Sequence, residues 1–330
     1  MLPHARRIKR IVTGLRERLS HSYNPNNQIF VYRIYLTAGD TNELLQKLEE
    51  FRSKLDEGDE DLPVGLIDKL QELRNKLEDV KHTSFSRVDP ITLVSLGISS
   101  GPLFLISDKR QEVENLGLAE TSGYLSIDTT RSLICLVRDH VAMVTEAGCR
   151  ILINILLLRV VSVMCPGDTT VNIIPEFPLP RTIFKRDPGK CSFSGVVDFL
   201  VTKLPARYTE YLLGDPTTAL ANPGYIKGPI TSNIFEAKRD NVRAAMPQAA
   251  IAAASYCQLQ DLSVVRGVVT SGEQWIFFVY ERRTDGTGLV LSSPEYSLGK
   301  NLEGLALVLG LLRDSIDNAT SSNYTFFTTL

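Results

Sequence analysis

Between residues 40 and 81 the apolar positions recur at helical spacing. Leu44, Leu45, Leu48, Phe51 and Leu55 form one stripe, and Leu66, Leu70, Leu73 and Leu77 a second. The rest of both stretches is densely charged, and the acidic run 57–61 separates them. This predicts an antiparallel helical hairpin over 41–81, an element suited to packing or to dimerisation, so a homodimer through it is one expectation. From Ser132 to Met164 apolar residues cover most faces, which predicts a long buried helix broken near Gly148. The pattern then shortens. Residues 170–174, 182–185, 195–201 and 232–238 read as strands, with Pro175, Pro178 and Pro180 confining the piece between the first two to irregular or edge structure. A short helix is expected over 206–213, then a loop marked by Pro216, Pro223, Gly224, Gly228 and Pro229. An alanine-rich helix opens near Pro247 and Gln248, a hairpin follows over 266–280, and residues 275–282 form the last core strand. Polar hairpin or loop text over 283–296 leads to a final amphipathic helix over 301–317. Residues 82–128 show only short apolar stretches and read as a bridge to the core.

Strands interleaved with helices predict an α/β (α+β) fold with a central mixed sheet flanked by helices. The expected division is a helical region over 1–130 and a sheet domain over 131–330. The chain of 330 residues is 43% hydrophobic and 22% charged, ordinary for a soluble globular protein. Its net charge of −2 offers no global basic field, so phosphate contacts would need local patches. Arg181, Lys185, Arg186 and Lys190 form one such cluster, and the first twenty residues carry six basic side chains against Glu17. The five cysteines (135, 149, 165, 191 and 257) contain no C-x-x-C pair, and the four histidines (4, 21, 82 and 140) have no metal-ligand spacing. A reducing, intracellular setting without a zinc site is expected. Nucleus and cytoplasm fit, and the Arg-rich start leaves the mitochondrion open. The longest apolar run, 151–158, is too short to span a bilayer, so no membrane partner is expected.

The candidate chemistry lies in 232–248. On a strand, Glu236 and Lys238 point to one side, roughly 6–7 Å apart, while Phe235 and Ala237 face the other. An acid and a lysine on an otherwise apolar strand are costly to bury without partners. A divalent cation and a phosphate would be such partners. The only other acid-x-Lys triplet, Asp79-Val80-Lys81, closes a heavily charged helical segment, where it reads as a solvated face. The Glu236 triplet differs because an apolar strand carrying Asp198 precedes it, and a helix and further strands follow.

This arrangement resembles the PD-(D/E)xK nuclease superfamily, the restriction-endonuclease-like fold. The text FEAK (235–238), PQAAIAAASY (247–256) and RGVVTSGEQW (266–275) is similar to uncharacterised fungal members, some linked to Crinkler-type or mobile-element proteins. The resemblance covers about residues 140–285. It implies a nuclease with Mg²⁺ or Mn²⁺ as cofactor and nucleic acid, DNA first, as partner. It makes Asp198, Glu236, Lys238 and Gln248 the catalytic set, and Asp198, Glu236, the Ala237 carbonyl and Glu146 the metal ligands. The family often places a tyrosine four residues after its glutamine. Here that place holds Ala252, and Tyr256 comes four later. Two alternatives stay open: an RNA nuclease on the same fold, and a catalytically silent module that binds nucleic acid or protein.

Overall fold

The computed structural model describes residues 81–329 apart from 121–124, 165–166, 187–188, 222–225 and 227–230. The basic start and the hairpin expected over 41–81 lie outside the described residues, except Lys81, which opens a strand. In chain order the elements are β1 (Lys81–Ser84), α1 (Pro90–Ser95), β2 (Ile98–Pro102), β3 (Phe104–Leu105), α2 (Arg110–Leu118), α3 (Ile127–His140), α4 (Glu146–Val163), β4 (Thr169–Arg186) and β5 (Gly189–Pro205). There follow α5 (Thr209–Gly214), α6 (Pro216–Ala221), β6 (Thr231–Ala237), α7 (Met246–Gln260), β7 (Val264–Thr270), β8 (Gln274–Arg282), β9 (Gly288–Ser292), β10 (Tyr296–Ser297), α8 (Leu305–Asp317) and β11 (Phe327–Thr328).

Among the described residues, nine strands form one mixed sheet in the order β1-β5-β6-β7-β8-β9-β2, with β4 on the far side of β5 and β10 against β8. The long β5 serves three neighbours. It pairs antiparallel with β4 along its length, parallel with β1 over 191–194, and antiparallel with β6 over 199–203. β6 and β7 are parallel, joined by the crossover helix α7.

Period-2 alternation sends the two faces of each strand to different helical layers. Phe235, Ala237, Val268 and Trp275 meet one layer, which includes Leu152 and Leu156 of α4 and Leu305 and Leu312 of α8. Ile234, Val265, Val269 and Ile276 meet the other, formed chiefly by α7. The alanines of α7 (249, 250, 252, 253 and 254) are buried all round, and their small side chains let the helix lie close on the sheet. In the first layer α2 and α8 touch backbone to backbone. A Cβ on Gly310 would lie 2.0 Å from the Val113 carbonyl oxygen.

Several expectations need correction. The helix expected over 132–164 is two helices. α3 ends at His140, and the chain turns extended before Thr145, whose side chain caps α4 by accepting from the Gly148 N–H at 3.0 Å. The piece marked by Pro175, Pro178 and Pro180 is edge rather than irregular structure: β4 joins the two expected strands and runs continuously from 169 to 186, with one register shift between Leu179 and Thr182. Proline is tolerated because β4 pairs with β5 alone, so its outer side needs no N–H. Pro216 opens α6 rather than a loop, as suits a residue with no N–H to satisfy in the first helical turn. Of the two readings of 283–296 the hairpin holds, since β9 folds back antiparallel on β8. The stretch from 81 to 102 is more than a bridge: it carries β1 and β2 of the main sheet, so strand pairing crosses the division drawn at 130, while β3 pairs with β11 in a separate two-stranded sheet. The segment 85–96 crosses the α7 face between β1 and β2, with Phe85, Leu93 and Leu96 buried there.

Candidate active site

β5 and β6 pair as far as Phe199 and Phe235 and then part. Where they part, the Asp198 carboxylate takes the place of a ladder partner: its Oδ2 accepts from the Ala237 N–H at 2.7 Å. β6 continues beside β7, and the Lys238 N–H donates to the Thr270 carbonyl at 2.8 Å. Glu236 and Lys238 therefore sit on rigid backbone at the end of a central strand.

Their side chains meet as the alternation predicts. Lys238 Nζ donates to Glu236 Oε1 at 2.8 Å. Gln248, third residue of α7, donates from Nε2 to the same oxygen. Glu236 is 1% exposed, and its other oxygen, Oε2, is buried without a hydrogen-bond partner. Burial, reinforced by the nearby Asp198 carboxylate, pushes the Glu236 pKa up to about 8 against the opposing pull of Lys238. Burial disfavours the Lys238 ammonium, but the carboxylates of Glu236, Asp198 and Glu146 outweigh it and raise its pKa, so Lys238 is charged at neutral pH.

Glu146, first residue of α4, does not touch Glu236 or Lys238 directly. It is linked to the site through Arg150, one turn further along, whose guanidinium donates to Glu146 Oε1 at 3.0 Å, to Glu176 Oε1 at 3.0 Å and to Asp198 Oδ1. Sequence reasoning missed Arg150 and Glu176. The i,i+4 spacing of Glu146 and Arg150 was a legible signal for the first. Nothing marked Glu176, which lies among the prolines.

Glu176 is unusual in its backbone. The pairs Pro175–Phe199 and Phe177–Val197 bracket it opposite Asp198, and its φ is +49°, in the left-handed region that a glutamate seldom adopts. Two acids opposite one another on adjoining strands repel. The turned backbone and the shared guanidinium relieve that repulsion.

Other candidates fall elsewhere. Tyr256 donates to Ser232 Oγ at 2.8 Å, and Ser232 meets Thr202 Oγ1 at 3.0 Å, a buried hydroxyl chain at the opposite end of β6 from Glu236. Arg181 donates to Ser192 Oγ at 2.8 Å. Ser192 is roughly 20 Å along β5 from Asp198, so this cluster is not brought to the carboxylates. Arg243, on the turn after the site, lines a cavity of about 420 Å³ together with Ser100, Pro102, Ser292 and Ser293. The described cysteines (135, 149, 191 and 257) form no disulfide with one another.

Among the described residues, no three His, Cys, Asp or Glu side chains converge to hold a metal by themselves. Mg²⁺ needs less, usually one or two carboxylates completed by water and phosphate oxygens. Asp198 and Glu236 meet that number, and the partnerless Glu236 Oε2 is an acceptor that such an ion would satisfy. Glu146 is separated from this pair by Arg150, and Ala237 contributes its N–H to Asp198. Compared with known proteins, the chain matches no family model and, at a significant level, no curated protein. No helix among the described residues is long and apolar enough to cross a membrane.

Proposed function

We propose that this protein is a divalent-metal-dependent nuclease that hydrolyses phosphodiester bonds, with DNA as the expected substrate, on a restriction-endonuclease-like core. The observation that carries the reading is the convergence of Asp198, Glu236, Lys238 and Gln248 at the ends of adjoining strands, with one buried carboxylate oxygen left unpartnered. The succession α4, β4, β5, β6, α7, β7 supports it, because it places an acid, then Glu-x-Lys, then a helix in the order the resemblance implies.

Asp198 and Glu236 would hold the metal. Bound there, Mg²⁺ or Mn²⁺ would neutralise phosphate charge and lower the pKa of an attacking water. Lys238 is charged and anchored by Glu236, so its contribution is electrostatic: it orients the water and faces the negative charge that develops on the phosphate. Gln248 positions Glu236 by holding Oε1, which leaves Oε2 directed elsewhere.

The test is cleavage of plasmid, single-stranded DNA and RNA with Mg²⁺ or Mn²⁺ against EDTA. Cleavage should require metal and fall by about a hundredfold or more in Glu236→Ala and Lys238→Ala, as when a transition-state partner is removed. Cleavage of RNA alone would select the RNA nuclease. Activity surviving both substitutions would sink the assignment of the site. A well-folded wild type that cleaves none of the three substrates favours the silent binding module.

A further inference from the structure

We infer that Arg150 is a tethered counter-cation that occupies the place of a divalent metal beside Asp198, and that metal loading displaces its guanidinium from that carboxylate. The inference rests on the metal-site reading above, and its test does not use cleavage.

Three elements aim carboxylates at this one guanidinium: Glu146 from α4, Glu176 from β4 and Asp198 from β5. Glu236 and Lys238 lie next to them, so the cluster gathers four acids and two bases. Two acids set opposite each other in the β4–β5 register need a cation between them, and Arg150 supplies it from within the chain.

The side chains are arranged for exchange rather than for permanent closure. Asp198 is the buried member, 9% exposed at its side chain, whereas Glu146 is 46% and Glu176 69% exposed. An Arg150 that releases Asp198 keeps two partners on the solvent side, so it loses one ion pair of three. The left-handed φ of Glu176 is consistent with this role, because backbone strain is retained where surrounding contacts demand it. Once displaced, the guanidinium remains beside Asp198, where it can meet a phosphate oxygen through its planar fork of donors.

The experiment measures Mn²⁺ affinity by calorimetry on the full chain, without nucleic acid, for wild type, Arg150→Met and Arg150→Lys. Thermal unfolding with and without Mn²⁺ runs alongside. Removing a competing cation should tighten Mn²⁺ binding in Arg150→Met by about tenfold or more, with a larger Mn²⁺-induced rise in melting temperature than wild type gives. Arg150→Lys keeps the charge and should tighten binding less, and it carries the comparison if Arg150→Met does not fold. Equal or weaker Mn²⁺ binding in the charge-removing variant, or a lysine variant that binds as tightly as the methionine one, overturns the proposal. Absence of Mn²⁺ binding in all three overturns it together with the metal-site reading. Tightened binding without any cleavage leaves it standing while the nuclease reading fails.

Discussion

Among the described residues two arginines hold buried aspartates, and they are built differently. Arg266 of β7 and Asp314 of α8 are each 3% exposed and meet at 2.8 Å. Asn318 donates to the other Asp314 oxygen at 2.8 Å, and the Asn323 carbonyl accepts from the second guanidinium nitrogen. One base faces one acid, and the pair is sealed between sheet and helix. Arg150 instead faces three acids, and the neighbouring Glu236 keeps an oxygen with no partner. The first arrangement is balanced and closed, as a structural tie should be. The second is unbalanced and reaches solvent, as a site that accepts a cation should be. Burial of ion pairs by itself therefore says little; the charge balance and the unfilled acceptor separate the two.

The largest way to test the contrast is to break the closed pair. Arg266→Ala leaves Asp314 buried without its base and should lower unfolding free energy by about 3–5 kcal/mol. Urea titration checks this, and Mn²⁺ should restore none of the loss.

Next in size is the pH dependence carried by Glu236. Its folded pKa of about 8 lies above the ordinary glutamate value of 4.5, so the folded protein holds this proton more tightly than the unfolded chain does. Stability from this group is full below about pH 4.5 and is lost as pH rises towards 8. Between about pH 5 and pH 8 the loss in metal-free protein should be about 3 kcal/mol. Glu236→Gln has no proton to lose and should flatten that slope in denaturant titrations at several pH values. An unchanged slope would show that Glu236 titrates normally.

The smallest effect sharpens the contrast within β6 itself. Tyr256→Phe removes the hydroxyl from the Tyr256–Ser232–Thr202 chain and should cost about 1 kcal/mol, with Mn²⁺ affinity unchanged. A change in metal binding would tie that end of the strand to the site.

What the sequence made legible follows from how local each signal is. Glu236 and Lys238 on one strand face need only period-2 alternation, and the structure joins them. The Ala-rich helix and the hairpin after it carry their own patterns, and α7, β7 and β8 stand where those patterns placed them. Gln248 reaches Glu236 because the helix start lies just beyond the strand end. The role of Arg150 was hidden because its partners come from three elements, and only the β4–β5 register brings Glu176 and Asp198 together. The prolines of β4 left irregular and edge structure both open, because edge position is a property of the whole sheet. β1 and β2 were missed because they are short and gain their partners from far along the chain.

That last feature has a consequence for how the chain is made. His82 pairs with a residue 110 positions later, and Ser99 with one 189 positions later. Translation therefore delivers β1 and β2 long before β5 and β9 exist to receive them. Contacts of such sequence separation also form slowly, because a long loop must close first. Phe85, which packs so tightly on Gly195 that a Cβ there would lie 2.5 Å from its ring, is exposed during the whole of that wait. The strands that complete the sheet are thus the ones a nascent chain must keep from pairing with a neighbour.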